Sequence, residues 1–198
     1  MAGTKGRGEV HRALPGDVEG GLTIARAIRD PWFRCQSLAL VARFLDDRRR
    51  PGVLTEAFKA ADELLEPNRI VTVASWPIEV LAELGPHDRL RQAVDRLVGV
   101  IATEPHSLRR ADALGAVLHR VWPVADVRSR VLGEFRAACA AGHGWRRDRL
   151  LRYTAQRLAE VDLTGANELV GMIEEDRVRR RATREVAAAA GSPSGMTP

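Results

Sequence analysis

An acid followed by proline recurs along this chain at a spacing that leaves few folds open: Asp30-Pro31, Glu66-Pro67 and Glu104-Pro105 stand at offsets of 36 and 38 residues. Aspartate suits the position just before a helix, where its carboxylate accepts hydrogen bonds from the unpaired amides of the first turn. Proline suits the first helical position, where an N–H would have no partner. Glutamate caps less well but still favours the positive helix end. The flanking stretches carry a helical period: DVEGGLTIARAIRD places Leu22, Ala25 and Ile28 on one face, and PWFRCQSLALVARFL does the same with Leu38, Val41, Ala42 and Leu45. Each junction therefore joins two amphipathic helices. A fourth is expected at AAGHGWRR, where Gly142 and Gly144 break the chain, and a fifth, without proline, at Asp176 in EEDRVRRR. From Asp30 to Asp176 the steps average about 36 to 37 residues, within the range of solenoid repeats.

The helices before the junctions resemble one another (LTIARAI, LTEAFKAADELL, LRQAVDRLVGVIA, VLGEFRAACA, ANELVGMI), and so do those after them, from RCQSLALVARFL to RRATREVAAAA. Neither helix of a pair buries its apolar stripe alone, so stacked neighbours must supply the core. The expected fold is all-α, an α-solenoid of about four to five antiparallel helix-turn-helix repeats over residues 16–189. Its last helix offers only Val178, Ala182, Val186 and small alanines to the stack, as a terminal cap would. Residues 1–15 and the Gly/Ser/Pro-rich residues 190–198 are expected to be disordered. Aromatics make up 5% of the chain while Ala, Leu and Arg abound, a balance that favours helices over sheets. Pro77 stands inside an expected helix and removes the bond to Val73, so that helix should kink or break.

The pattern of acid-Pro, then Arg about four residues on, then an Ala/Leu helix, as in DPWFRCQSLALVA, resembles the tetratricopeptide-like and HEAT-like superfamily of helical-hairpin repeats. The resemblance spans residues 17–189. The Trp, Gly-Tyr and Phe positions of the tetratricopeptide signature are not in register, and proline starts the second helix rather than following it. Membership implies partner binding on a concave surface.

The formal charge is +5 and the pI about 10.1, which invites a nucleic-acid reading. Only Lys5 and Lys59 are lysines, however, and acids interleave with the arginines, a bias that a GC-rich genome would produce whatever the function. An arginine follows each junction: Arg34, Arg69, Arg109 or Arg110, Arg146 or Arg147, and Arg179 or Arg180. In register these would form a ladder, and Arg34, Arg69, Arg110 and Arg147, with Trp32, are the candidate partner-binding residues. The plainer expectation is that Arg34 pairs with Asp30 and Arg180 with Asp176 at i, i+4. Two basic clusters, Arg48, Arg49 and Arg50, and Arg177, Arg179, Arg180 and Arg181 within RVRRRATR, are the alternative nucleic-acid contacts. No aromatic stacking platform or recognition motif accompanies either cluster in sequence, so solvated segments are the simpler reading. Trp32, Trp76, Trp122 and Trp145 lie near helix ends and are expected to pack between repeats, Trp32 being the expected exception.

No catalytic constellation emerges. His11, His87, His106, His119 and His143 show no metal-ligand spacing, and Cys35 and Cys139 are isolated thiols. There is no nucleophile elbow or phosphate loop, GTKGRG at residues 3–8 lacking a preceding strand. Glu79 and Glu83, and Glu174, Glu175 and Asp176, read as surface acids rather than a matched acid and base. Thr183 in RRRAT would suit a basophilic kinase. Neither a signal peptide nor a membrane span of roughly 20 apolar residues is visible, so a cytoplasmic protein with reduced thiols is expected. The expected function is a non-catalytic protein-protein interaction module, a helical-repeat scaffold or adaptor holding a peptide or protein partner in its groove without metal or cofactor. The alternative is a nucleic-acid-binding helical repeat with an arginine-rich face. A third reading, an enzyme with an acid in the groove, has no residue to name.

Overall fold

The structure, a computed structural model, describes residues 2–191. Among them are eleven α-helices and no strand: α1 (Ala2–Ala13), α2 (Val18–Ala27), α3 (Pro31–Ala42), α4 (Arg50–Asp62), α5 (Pro67–Leu84), α6 (His87–Ala102), α7 (Ser107–Arg120), α8 (Ala125–Ala140), α9 (Trp145–Leu158), α10 (Leu163–Gly171) and α11 (Asp176–Gly191). The fold is all-α, as the periodicity required. Each odd-numbered helix packs on the next odd-numbered one, from α1 on α3 through to α9 on α11. The even-numbered helices lie against these, α2 on α1 and α3, α4 on α3 and α5, α6 on α5 and α7, α8 on α7, and α10 on α9 and α11.

The capping chemistry explains where the helices start. Asp30 Oδ1 accepts from the Trp32 amide at 2.9 Å with Pro31 at the first helical position, and Asp17 and Asp162 cap α2 and α10 in the same way through Gly20 and Gly165, each at 2.8 Å. Such a cap stabilises its helix by about 1 kcal/mol. The other junctions vary the device. Glu66 precedes Pro67 without a side-chain cap bond. Glu104-Pro105 does not start its helix: α7 begins at Ser107, while buried Glu104 accepts from the His106 amide at 3.2 Å and so shapes the turn before the helix. Gly144, at φ 94°, precedes α9 in left-handed backbone that a side chain would strain. The post-junction helices accordingly start 36, 40, 38 and 31 residues apart.

Four local expectations are corrected. Residues 1–15, expected to be disordered, contain α1, which packs on α2 and α3; Val10 is fully buried and Arg7 donates to Gln36 Oε1 at 2.9 Å. A short apolar stripe sufficed once neighbouring helices were there to cover it. Of the expected tail, Ala190 and Gly191 end α11, and residues 192–198 lie outside the described residues. Of the kink or break expected at Pro77, the break does not occur: helix α5 runs through the proline for 18 residues. The Val73 carbonyl, whose usual donor the proline lacks, accepts instead from the Cys35 thiol of α3 at 3.5 Å in the buried core. The fourth correction is Trp32, which is half-buried, whereas Trp145 is 64% exposed.

Candidate functional site

The junction arginines serve first as clips. Arg34 donates from one guanidinium nitrogen to the carbonyls of Ile28 at 3.1 Å and Arg29 at 3.3 Å and pairs with Glu63; its expected partner Asp30 is occupied with the helix cap. Arg128 reaches back six residues to the Trp122 carbonyl at 2.7 Å, and Arg179 reaches back six to Ile173 at 3.2 Å. In each case a guanidinium fork satisfies carbonyls left open where the preceding helix ends. Arg147 is the extreme case, 5% exposed, donating to Gly142 O at 2.9 Å, to Met172 O and to Glu174 Oε1 at 2.7 Å. Beside it Asp148, 1% exposed, accepts from the Glu174 and Glu175 amides at 3.2 and 2.9 Å. Sequence reading missed this buried pair, although RRD directly after a glycine-flanked junction was its signal.

The remaining candidates scatter. Arg69 lies over the Trp32 ring at 5.9 Å, near Glu66, which also faces Arg109. Arg110 has no partner among the described residues, and its Nε is buried without an acceptor. The ladder is therefore not a continuous surface: Arg34 and Arg147 are consumed by carbonyls. Of the first basic cluster, Arg49 pairs with Glu19 and Arg50 holds Asp47 and the carbonyls of Ala42 and Leu45, leaving Arg48 exposed. In the second, Asp176 pairs with Arg179 and not with Arg180, Arg181 donates to Glu185 at 2.8 Å, and the exposed side chains of Arg177 and Arg180 have no partner among the described residues. Thr183 is exposed, its hydroxyl donating to Arg179 O at 3.1 Å. Among the described residues no group of three or more His, Cys, Asp or Glu could hold a metal ion, and no helix is long and apolar enough to cross a membrane.

What the structure assembles instead is a guanidinium–aromatic face on α7, α9 and α11. Helix α9 carries Arg146, Arg149, Tyr153 and Arg157 at steps of three and four, which places them on one side of the helix. The guanidinium of Arg157 lies over Trp122 at 4.5 Å and contacts His119 Nδ1 on α7. Arg128 covers Trp122 at 5.5 Å, and Arg149 and Arg152 flank the Tyr153 ring at 5.5 and 4.5 Å. Glu185 of α11 pairs with both Arg152 and Arg181, which joins that helix to the face. Between α7 and α9 lies a hollow of about 200 Å³ walled by Asp112, His119, Trp122, Tyr153 and Arg157. Tyr153 and Trp145 are 49% and 64% exposed.

The electrostatics of this hollow are those of partly desolvated charge. Burial, then the positive neighbours Arg157 and Arg120, hold His119 below its ordinary pKa, so that its neutral ring can accept from Arg157. Burial also lowers Arg157 and raises Asp112. Nearer the N-terminus the balance runs the other way: the hydrogen bonds that Arg26 donates to Glu56 lower the Glu56 carboxyl and raise Arg26. The spacing R-x₂-R-x₃-Y-x₃-R in WRRDRLLRYTAQR was legible as a stripe; that Trp122 and His119 complete it was not.

No family model matches this chain, and no curated protein does. Among solved structures it is similar to the crystal structure of Ton1535 from Thermococcus onnurineus NA1, at 12% sequence identity and a TM-score of 0.45, over 88% of this chain and 85% of that one.

Proposed function

We propose that this chain is a helical-repeat adaptor of the tetratricopeptide-like and HEAT-like kind, an α-solenoid of four helical hairpins closed by a fifth, which binds an acidic segment of a protein partner in the cytoplasm and carries no chemistry of its own. The nearest-neighbour packing of α2 through α11 supports the solenoid reading, with α1 as an additional helix at its start. One observation carries the binding reading: Arg146, Arg149 and Arg157 lie over aromatic rings and, among the described residues, none of them has a carboxylate within ion-pair distance, Asp112 and Glu160 acting on Arg146 and Arg157 only at longer range. A guanidinium stacked on a ring is held in place while its edge stays available to a bidentate acceptor. Glutamate or aspartate side chains of a partner match that geometry, and Tyr153 and Trp145 supply rigid apolar area beside it.

A second reading rests on the same exposed rings. Sequence inspection finds no aromatic platform near the basic clusters, yet Tyr153 lies next to Arg152, which Glu185 bridges to Arg181 of the second cluster. Stacking rings beside arginines are what a single-stranded nucleic acid uses. Fluorescence anisotropy with a labelled glutamate-rich peptide and a single-stranded oligonucleotide of equal charge, across a salt series, separates the two. The adaptor reading expects micromolar peptide binding at physiological salt, lost by about tenfold or more in Arg149→Glu/Arg157→Glu, with oligonucleotide binding gone at that salt. Tight oligonucleotide binding with a steep salt slope, and none by the peptide, would sink it.

A further inference from the structure

A second concavity lies on the other layer of helices, well away from the α7–α9 hollow. Helices α4 and α6 both rest on α5, and a cleft of about 730 Å³ opens between them. Its floor and walls are apolar, built from Leu54, Phe58, Leu81, Leu84 and Ala93. At one end the Arg96–Asp62 ion pair ties α6 to the end of α4. At the other, the loop through Gly85 and Pro86 and the turn bearing Asp47 form the rim. The space is a wedge between α4 and α6, and its volume lies within the range of small-molecule sites.

Three arginines line it, and two are already engaged: Arg96 by Asp62, and Arg50 by Asp47 and the carbonyls of Ala42 and Leu45. Arg89 has no partner among the described residues. We propose that this wedge binds an amphipathic monocarboxylate, an acyl or aryl chain ending in a single acid group, with the chain on the Leu54–Phe58–Leu81 floor and the carboxylate on Arg89. The charge distribution selects that chemistry. An unengaged guanidinium beside an apolar pocket takes an acid in preference to a neutral alcohol. With Arg50 and Arg96 already neutralised by Asp47 and Asp62, the single guanidinium of Arg89 balances one negative charge and leaves the second charge of a phosphate ester uncompensated.

The test uses the full chain with 1-anilinonaphthalene-8-sulfonate as reporter, displaced by decanoate, decanol or decyl phosphate. Decanoate is expected to displace the dye about tenfold more effectively than either of the others. Arg89→Ala should remove the advantage over decanol while leaving decanol unchanged. Ala93→Trp, filling the wedge from α6, should abolish displacement, and Thr55→Phe should do so from α4, each with an unaltered circular dichroism spectrum. No displacement by decanoate at millimolar concentration, equal competition by decanol in the parent, better competition by decyl phosphate, or undiminished binding in both filled variants would each overturn the proposal. Arg149→Glu/Arg157→Glu leaves the wedge intact, so this inference stands or falls apart from the adaptor reading.

Discussion

Trp76 and Trp122 are each flanked by two guanidiniums, yet their surroundings differ. Trp76 lies between Arg7 at 5.8 Å and Arg120 at 4.5 Å, and Arg120 continues into a closed chain of charge through Glu79, Arg43 and Glu83. Around Trp122 the guanidinium of Arg157 meets a neutral imidazole instead of a carboxylate. The contrast extends to whole halves of the chain: residues 1–106 hold 15 basic and 15 acidic side chains, whereas residues 107–198 hold 16 and 11. All of the formal +5 therefore sits in the second half. In the first half arginine mostly ties helix to helix, as in Arg26–Glu56, Arg49–Glu19 and Arg34–Glu63. In the second it does that and also leaves Arg146, Arg149 and Arg157 over aromatic rings. The same residue type thus serves two purposes, and only its neighbours distinguish them.

The comparison can be broken most forcefully at the clips. Arg147→Ala leaves Asp148 buried without its cation and should destabilise the fold by about 3 kcal/mol, against about 1 kcal/mol for Arg34→Ala, whose partner Glu63 is solvated. Urea unfolding measures both, and equal losses would mean that burial does not set the worth of the device. On the surface, Arg149→Glu should weaken acidic-peptide binding about tenfold while Arg48→Glu changes it less than twofold, because only the former belongs to a ring-backed face. Equal effects would reduce the asymmetry to net charge.

A smaller effect is expected with pH. Because the folded state depresses the pKa of His119 below its ordinary 6.5, the stability gained from its neutral form is complete above that value and is lost as pH falls through the folded one. The His119 ring resonances followed by NMR should titrate below 6.5, and Arg157→Gln should move the midpoint upward, toward the ordinary range. The smallest effect sought is no reaction at all. Cys35 in the first half and Cys139 in the second are both buried, their thiols pushed up by desolvation, Cys139 to about 12, so neither should react with a disulfide reagent until the protein unfolds. Rapid labelling of either would show that its half opens locally.

Much of the fold was legible because local rules agree with one another. The Asp30-Pro31 cap, the helical periods on either side and the glycine break before Trp145 each specify a helix boundary from chain chemistry alone. Glu104-Pro105 read two residues early, because glutamate at that position turned inward to the His106 amide rather than outward to a helix end. Helix α1 was missed since its apolar stripe is short and gains meaning only against α2 and α3. The site was legible as a stripe on α9 and no further: Trp122 and His119 reach it from α7 and the turn after it, over 30 residues away in sequence.

That this chain is helical, roughly where its helices meet, and that its charge is carried by arginine all follow from the order of its residues, because caps, prolines and side-chain periods act within a few residues. Tertiary structure alone decided which arginines are spent on carbonyls, which are neutralised by carboxylates and which are left over aromatic rings. A guanidinium on a long flexible stem takes whichever acceptor packing brings within its reach, and that acceptor usually lies on another helix.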